Sequence, residues 1–290
     1  MKTILVATDF SERSDRALRR ATLLARQFEA TLKIVHVIDD DQPKRAVESE
    51  QAQASSLLRQ LAETLRDVDG LDCETRVILA PPFAGLVRAA KELEPDLLVI
   101  GAHRRQVLRD IFIGTTAERT IRSVACPVLM VNATPAGRYR HVLQTTDLSD
   151  ESREALVRLP RLKIAGQASN ALLYVFDAPA LRLAFSSSVP DENRQNYLDD
   201  AQRDAERDLA KFVTASGLGE IRKIVRHDAT RAQNEILKAA EAEKADLIVL
   251  STRGRSGVVK LLIGSVTEQV LRASTVDVLA IPPKPAALPD

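Results

Sequence analysis

The sequence predicts an α/β protein of two tandem, doubly wound, five-stranded parallel-sheet domains, over residues 1–133 and 138–283. Two observations carry this. Apolar runs of four to six residues alternate with longer amphipathic segments, the pattern of parallel strands covered on both faces by helices. That pattern is also written twice. Asp9-Phe10-Ser11 after Ile4-Leu5-Val6-Ala7 recurs as Asp147-Leu148-Ser149 after Val142-Leu143, and Val37-Ile38-Asp39 recurs as Val175-Phe176-Asp177, both 138 positions on. Asp96-Leu97-Leu98-Val99-Ile100 recurs as Asp246-Leu247-Ile248-Val249-Leu250, and Gly114-Thr115 as Gly264-Ser265, now 150 positions on. The offset grows from 138 to 150, which places a 12-residue insertion in the second copy between its second and third strands. A repeat this long is a whole domain rather than a solenoid unit of about 20 to 50 residues, and 290 residues suffice for two such domains.

In the first copy the strands are expected near Ile4 to Ala7, Leu32 to Ile38, Glu74 to Leu79, Leu97 to Ile100 and Val128 to Val131. Helices fill the gaps. Ser11 is the N-cap of a helix that buries Ala17, Leu18, Ala21, Leu24 and Phe28, spaced by three and four along one face. Ser149 opens the equivalent helix, which Pro160 should kink or shorten because proline lacks the backbone donor. Thr134-Pro135-Ala136-Gly137 reads as the linker. The tail from Pro282 to Asp290, with four prolines, reads as extended chain. The insertion, Ala178 to Val189, precedes an amphipathic segment with Leu198, Ala201, Ala205, Leu209 and Phe212 on one face. Such a stripe packs on a core, with a lid or apolar pocket as the alternative.

With 41 basic residues against 40 acidic, the chain lacks the excess cation that general nucleic-acid binding requires. No stretch approaches the length that spans a membrane, and no targeting signal precedes Ile4, so the expected location is the cytoplasm. Cys73 and Cys126 lack metal or redox spacing and read as reduced, buried small residues.

A doubly wound sheet sets strand 1 beside strand 4, and ligands bind in the crevice beyond the carboxyl ends of those strands. Thr8-Asp9-Phe10-Ser11 and Thr146-Asp147-Leu148-Ser149 follow strand 1, and the glycine-containing loops follow strand 4. The second loop reads Ser251-Thr252-Arg253-Gly254, nine residues, then Gly264-Ser265-Val266-Thr267. Glycine lets backbone amides approach phosphate oxygens, and Gly264-Ser265 opens a helix whose free amides favour an anion. Ser265 and Thr267 add hydroxyls, and Arg253 is either a phosphate partner or a solvated surface cation. The first loop reads Gly101-Ala102-His103-Arg104, nine residues, then Gly114-Thr115-Thr116. Each copy has lost a different glycine. An arginine in place of the second glycine is the costlier change if that position lies against phosphate, which makes the second copy the better binder.

These motifs, with His36-Val37-Ile38-Asp39, Cys126-Pro127-Val128-Leu129 and Gly264-Ser265-Val266-Thr267-Glu268, resemble the tandem type of universal stress protein along nearly the whole chain. Members that bind ATP carry Gly-x-x-Gly, nine residues, then Gly-Ser/Thr; each copy here matches two of the three glycines. The resemblance implies ATP, with Mg²⁺, as ligand. It places Asp147, and less securely Asp9, against the adenine beside the backbone of Val175 or Val37. Gly254, Gly264, Ser265, Val266 and Thr267 would hold ribose and phosphates, as would Gly101, His103, Gly114, Thr115 and Thr116 in the first copy. It also implies an internal pseudo-dimer joined edge to edge through the last strands, with a further homodimer open. The second copy departs from the pattern at Ser251 and at Val276-Asp277, where the first has Cys126-Pro127.

Simpler roles stand beside these. Asp9 and Asp147 also suit helix capping. His36, on a strand, suits a satisfied core histidine; His103 is the better contact, and His141 and His227 have no evident partner. No Gly-x-Ser-x-Gly elbow, metal-spaced histidine pair or lysine-bearing P-loop occurs. A glycine loop without a base or nucleophile points to binding, with at most slow hydrolysis. The alternatives are a slow ATPase and a nucleotide-free interaction protein, whose apolar insertion could take a lipid-like ligand.

Overall fold

The computed structural model describes residues 1–102, 116–179, 191–252 and 264–283. The first half runs β1 (Thr3–Ala7), α1 (Glu12–Phe28), β2 (Thr31–Ile38), α2 (Lys44–Asp69), β3 (Cys73–Leu79), α3 (Pro82–Leu93), β4 (Leu97–Gly101), α4 (Thr116–Ser123) and β5 (Val128–Val131). The second runs β6 (His141–Thr146), α5 (Asp150–Leu162), β7 (Ser169–Phe176), α6 (Asp191–Ser216), β8 (Arg222–His227), α7 (Ala232–Ala242), β9 (Leu247–Ser251), α8 (Ser265–Ala273) and β10 (Asp277–Ile281).

The ten strands form one sheet in the order β3-β2-β1-β4-β5-β10-β9-β6-β7-β8. Every pairing is parallel except the central one, where β5 meets β10 antiparallel with Leu129 opposite Leu279. The expected doubly wound halves and their edge-to-edge pairing are therefore both present. Side chains alternate between the two faces of a strand, so Ile4, Val6, Val99 and Leu129 build the layer under α1 and α5. Leu5, Leu98, Val128 and Met130 build the opposite layer under α3, α4, α7 and α8. Both layers cross the seam without a break, since Leu279 joins the first and Val278 the second.

Local sequence accounts for the helices that matter to the crevice. The Ser11 and Ser149 hydroxyls accept from the amides of Ser14 and Ser152, as N-caps should. With Pro160 inside it, α5 is 13 residues against 17 for α1, and Lys163 closes it in the left-handed conformation. On α6 the stripe Ala205, Leu209 and Phe212 is buried against the second half-sheet. The rest of the insertion, residues 180–190, lies outside the described residues. The cysteines differ from expectation: both are half-buried rather than buried. Desolvation still raises both thiols, Cys126 to about 11, so they remain protonated at neutral pH.

The seam is pinned by a buried carboxylate. Asp277, fully buried, accepts from Tyr139 Oη (2.5 Å), Arg20 Nε (3.1 Å) and the amides of Asn132 and Ala133 (2.9 and 3.0 Å). Arg20 also stacks over the Tyr139 ring at 4.2 Å and donates to the Gly137 carbonyl. Burial first, and then the neighbouring Asp277 charge, push the Tyr139 phenol well above its ordinary range. Removing one member of a buried ion pair leaves an uncompensated charge. Asp277→Ala should therefore lower unfolding stability by about 3–5 kcal/mol in urea titration, whereas removing an exposed pair such as Arg66–Asp72 should change it by less than about 1 kcal/mol.

Candidate functional site

Strand β1 pairs with β2 on one side and β4 on the other, and β6 stands likewise between β7 and β9. The chain leaves the two central strands in opposite directions, which opens a crevice beyond their carboxyl ends. In the first domain the crevice is a cavity of about 320 Å³, lined among others by Thr8, Asp9, Val37, Leu86, Gly101 and Thr116. That size lies in the range of small-ligand sites.

The turn after β1 is a small hydrogen-bonded knot that the second copy repeats. The buried Thr8 hydroxyl accepts from the Phe10 amide (3.0 Å) and donates to Ser14 Oγ (3.1 Å). Thr146 meets the Leu148 amide (2.9 Å) and Ser152 Oγ (2.8 Å) in the same way. Asp9 Oδ1 accepts from the amide and hydroxyl of Ser11, as Asp147 Oδ1 does from Ser149. The caps are therefore the serines, and Asp9 and Asp147, which also suited that role in sequence, instead brace them from two residues upstream. Burial pushes the Asp9 carboxyl up, but bonds from Ser11, Ser14 and nearby amides outweigh it and hold the group below its ordinary value of 3.8. To make the turn, Phe10 and Leu148 adopt left-handed backbone, φ 56° and 64°, which costs energy for residues with a side chain. His36 is the satisfied core histidine expected: it is buried, its Nδ1 donates to the Thr8 carbonyl (2.8 Å), and its ring lies 4.5 Å from Phe10.

The glycines divide by role. A Cβ on Gly101 would lie 2.8 Å from the Arg13 carbonyl oxygen, so this glycine lets the end of β4 approach the start of α1 as well as lining the cavity. Gly85, on α3, is needed for contact with Val37, whose Cγ1 a Cβ would strike at 2.4 Å. Gly264 differs. It sits at the N-cap of α8 with φ −55°, and among the described residues a Cβ would meet only Thr267 Oγ1, at 3.9 Å.

Ser265, Val266 and Thr267 form the first turn of α8, where amides have no intrahelical acceptor. Ser265 is exposed and Val266 half-buried. Thr267 is buried and spends its hydroxyl proton on the Ser251 carbonyl (2.9 Å), which makes it a latch between β9 and α8 rather than a free donor. Val175 is half-buried beside the core layer under α7. Of the other expected site residues, His103, Gly114, Thr115, Arg253 and Gly254 lie outside the described residues. Among the described residues no group of three or more His, Cys, Asp or Glu is placed to hold a metal.

Sequence reasoning missed the link between the two crevices. Glu118 and Glu268 occupy equivalent places in the first turns of α4 and α8, and each is paired with an arginine of the other domain. Arg272 holds the buried Glu118 through two bonds (2.7 and 3.1 Å) and also reaches Glu268 (2.7 Å). Arg122 reaches Glu268 at 3.4 Å, with its own buried Nε unbonded among the described residues. The signal was available in the repeat, since both pairs recur 150 positions apart. Ser14 and Ser152 were equally legible, 138 apart.

The fold and the repeated knot define a tandem doubly wound α/β protein with a crevice beyond the carboxyl ends of the central strands. The universal stress protein family model matches residues 1–132 and 138–282, and the chain belongs to that family. A universal stress protein of Mycolicibacterium smegmatis is 22% identical over 320 residues, covering 97% of each chain. One from Methanocaldococcus jannaschii is 27% identical over 142 residues, 45% of this chain and 81% of the relative. Among solved structures, a functionally unknown protein of Pseudomonas aeruginosa PAO1 superposes with TM-score 0.69 at 20% identity, over 98% of this chain and 93% of its own. A universal stress protein of Archaeoglobus fulgidus gives 0.67 at 18%, over 97% and 98%.

Two outcomes test this geometry. Arg272→Ala removes two charge-assisted bonds from the buried Glu118 carboxylate and should cost about 1–3 kcal/mol, more than Arg122→Ala, in matched denaturation curves. Because the folded Asp9 carboxyl titrates below its unfolded value, it contributes stability above pH 3.8 that is lost as pH falls through the folded pKa. Asp9→Asn should therefore flatten the acid limb of the stability-against-pH curve and leave its slope between pH 6 and 8 unchanged.

Proposed function

We propose that the protein is a cytoplasmic stress-response module that binds ATP, chiefly in the second domain, and changes conformation or partners with occupancy. The observation that carries this is Gly264. Among the described residues nothing requires a glycine there: its φ is open to any residue and no described atom crowds a Cβ. A bound group that must lie against the backbone at the start of α8 supplies the reason. In this reading Asp147 and the Val175 backbone meet the adenine, and the amides of Ser265, Val266 and Thr267, with Arg253 and Gly254, meet the phosphates. Mg²⁺ enters on the phosphates rather than through a carboxylate cage, and would neutralise their charge. The domain over 138–283 is the principal site, and that over 1–133 carries the degenerate loop.

Binding rather than turnover is proposed because the carboxylates at both crevices are already acceptors for serine hydroxyls, and Asp9 is held below its ordinary value, the wrong direction for a base at neutral pH. The first-domain cavity favours a second reading in which both halves take a nucleotide. Titration calorimetry with ATP and Mg²⁺, after removal of copurified nucleotide, separates these. One site is expected, weakened at least about tenfold by Gly264→Asp with an unchanged melting temperature. Two sites of similar affinity would favour the second reading, and no binding heat would overturn both.

A further inference from the structure

We propose that the cavity between the two domains, beneath α5 on the face opposite α7 and α8, is a binding site for a small amphipathic molecule that presents an N–H or O–H donor on an apolar ring. The cavity measures about 630 Å³, within the range of small-molecule sites. Leu156 and Leu159 of α5, Phe28 of α1, and Leu218 and Ile221 beyond α6 give it apolar walls. Its polar element is Gln144, on β6, which is only 6% exposed.

The hydrogen bonds around Gln144 fix its orientation. The Asn170 amide donates to the carbonyls of Ala168 (2.8 Å) and Ala165 (3.1 Å), so Asn170 Oδ1 is the atom that accepts from Gln144 Nε2 (2.9 Å). Gln144 Oε1 is left as an acceptor and receives no hydrogen bond from any described residue. It is not among the buried atoms left without a partner, so it opens on the cavity where water can reach it; a ligand that covers it must supply the donor that water supplies or leave the carbonyl unsatisfied. The first copy is an internal control. Its equivalent residues are Val6 and Leu32, both fully buried in the core. The fold therefore accepts an apolar pair at these positions, and the Gln144–Asn170 pair is not demanded by the architecture. Arg138, Lys163 and Glu220 line the cavity with exposed side chains, so polar groups stand at its mouth as well as at the Gln144–Asn170 pair within.

The probe is indole, compared with benzofuran, which has the same shape but an ether oxygen in place of the N–H. The chain contains no tryptophan, so the fluorescence of indole itself reports its binding to the full-length protein, and benzofuran is measured by displacement. Indole should bind saturably and benzofuran about tenfold more weakly, the factor set by one hydrogen bond to an otherwise unpaired acceptor. The double variant Gln144→Val/Asn170→Leu, which copies the first domain, should bind the two probes equally. Ile221→Asp, which puts a charge in the apolar wall without touching the polar pair, should weaken both probes alike. Saturating ATP should leave indole binding unchanged, whether or not the nucleotide reading holds. No saturable indole binding, equal affinity for both probes, or discrimination retained in the double variant would overturn the site; if the double variant does not fold, the benzofuran comparison and Ile221→Asp still decide it.

Discussion

Everything in this molecule is referred to the antiparallel contact between β5 and β10. A doubly wound half ends in a short strand whose outer edge carries unpaired amides and carbonyls, and here both last strands are buried along their whole length. Such an edge cannot be left in water without inviting wrong partners. Pairing the two edges joins the half-sheets and lets both apolar layers run through the seam. The register is held by Asp277, which stands where the first copy has Pro127. A proline there would offer no side-chain acceptor. The aspartate collects the two amides at the exit of β5, the linker tyrosine and Arg20 of α1, so strand, linker and helix are tied by one carboxylate.

The seam has a consequence for the crevices. It brings α4 beside α8, the two helices whose first turns face the crevices, and sets their acidic residues against the arginines of the opposite domain. Uncompensated, Glu118 or Glu268 would place negative charge within a turn of the amides that favour an anion, opposing the helix dipole's effect on a phosphate. The cross-domain arginines remove that opposition. Their unequal grip, two bonds and a third from Arg272 against one long contact from Arg122, makes the halves electrostatically distinct although their folds are alike.

Most of the fold was legible because periodicity and repetition are local signals. Ile4-Leu5-Val6-Ala7 and Val128 to Val131 read as buried strands without knowledge of their neighbours, and Ser11 and Ser149 announced their helices. The Asp-x-Ser turn was legible for the same reason: its bonds span two or three residues. What escaped detection was long-range. The partners of Asp277 lie up to 257 positions away and those of Glu118 154 away, and no window of sequence brings them together. Gln144 was overlooked because it lies in the half-polar strand His141-Val142-Leu143-Gln144-Thr145-Thr146, where nothing marks it until its partner Asn170 is known.

The same distinction changes how the glycine loops are to be weighed. Counting glycines treats every one as a phosphate contact, yet Gly101 is held by the approach of β4 to α1 and Gly264 by no close contact among the described residues. Loss of a glycine of the first kind is a packing event, absorbed or not by the neighbouring helix, and says little about a ligand. The second copy made that change at Ser251, whose backbone carbonyl anchors Thr267 as a glycine's also could. What sets this latch apart is Thr267 itself, where the first copy has Ala117. In the proposed reading the affinity of each half would follow from what stands at the helix start and which arginine braces it, more than from how many glycines the loop retains.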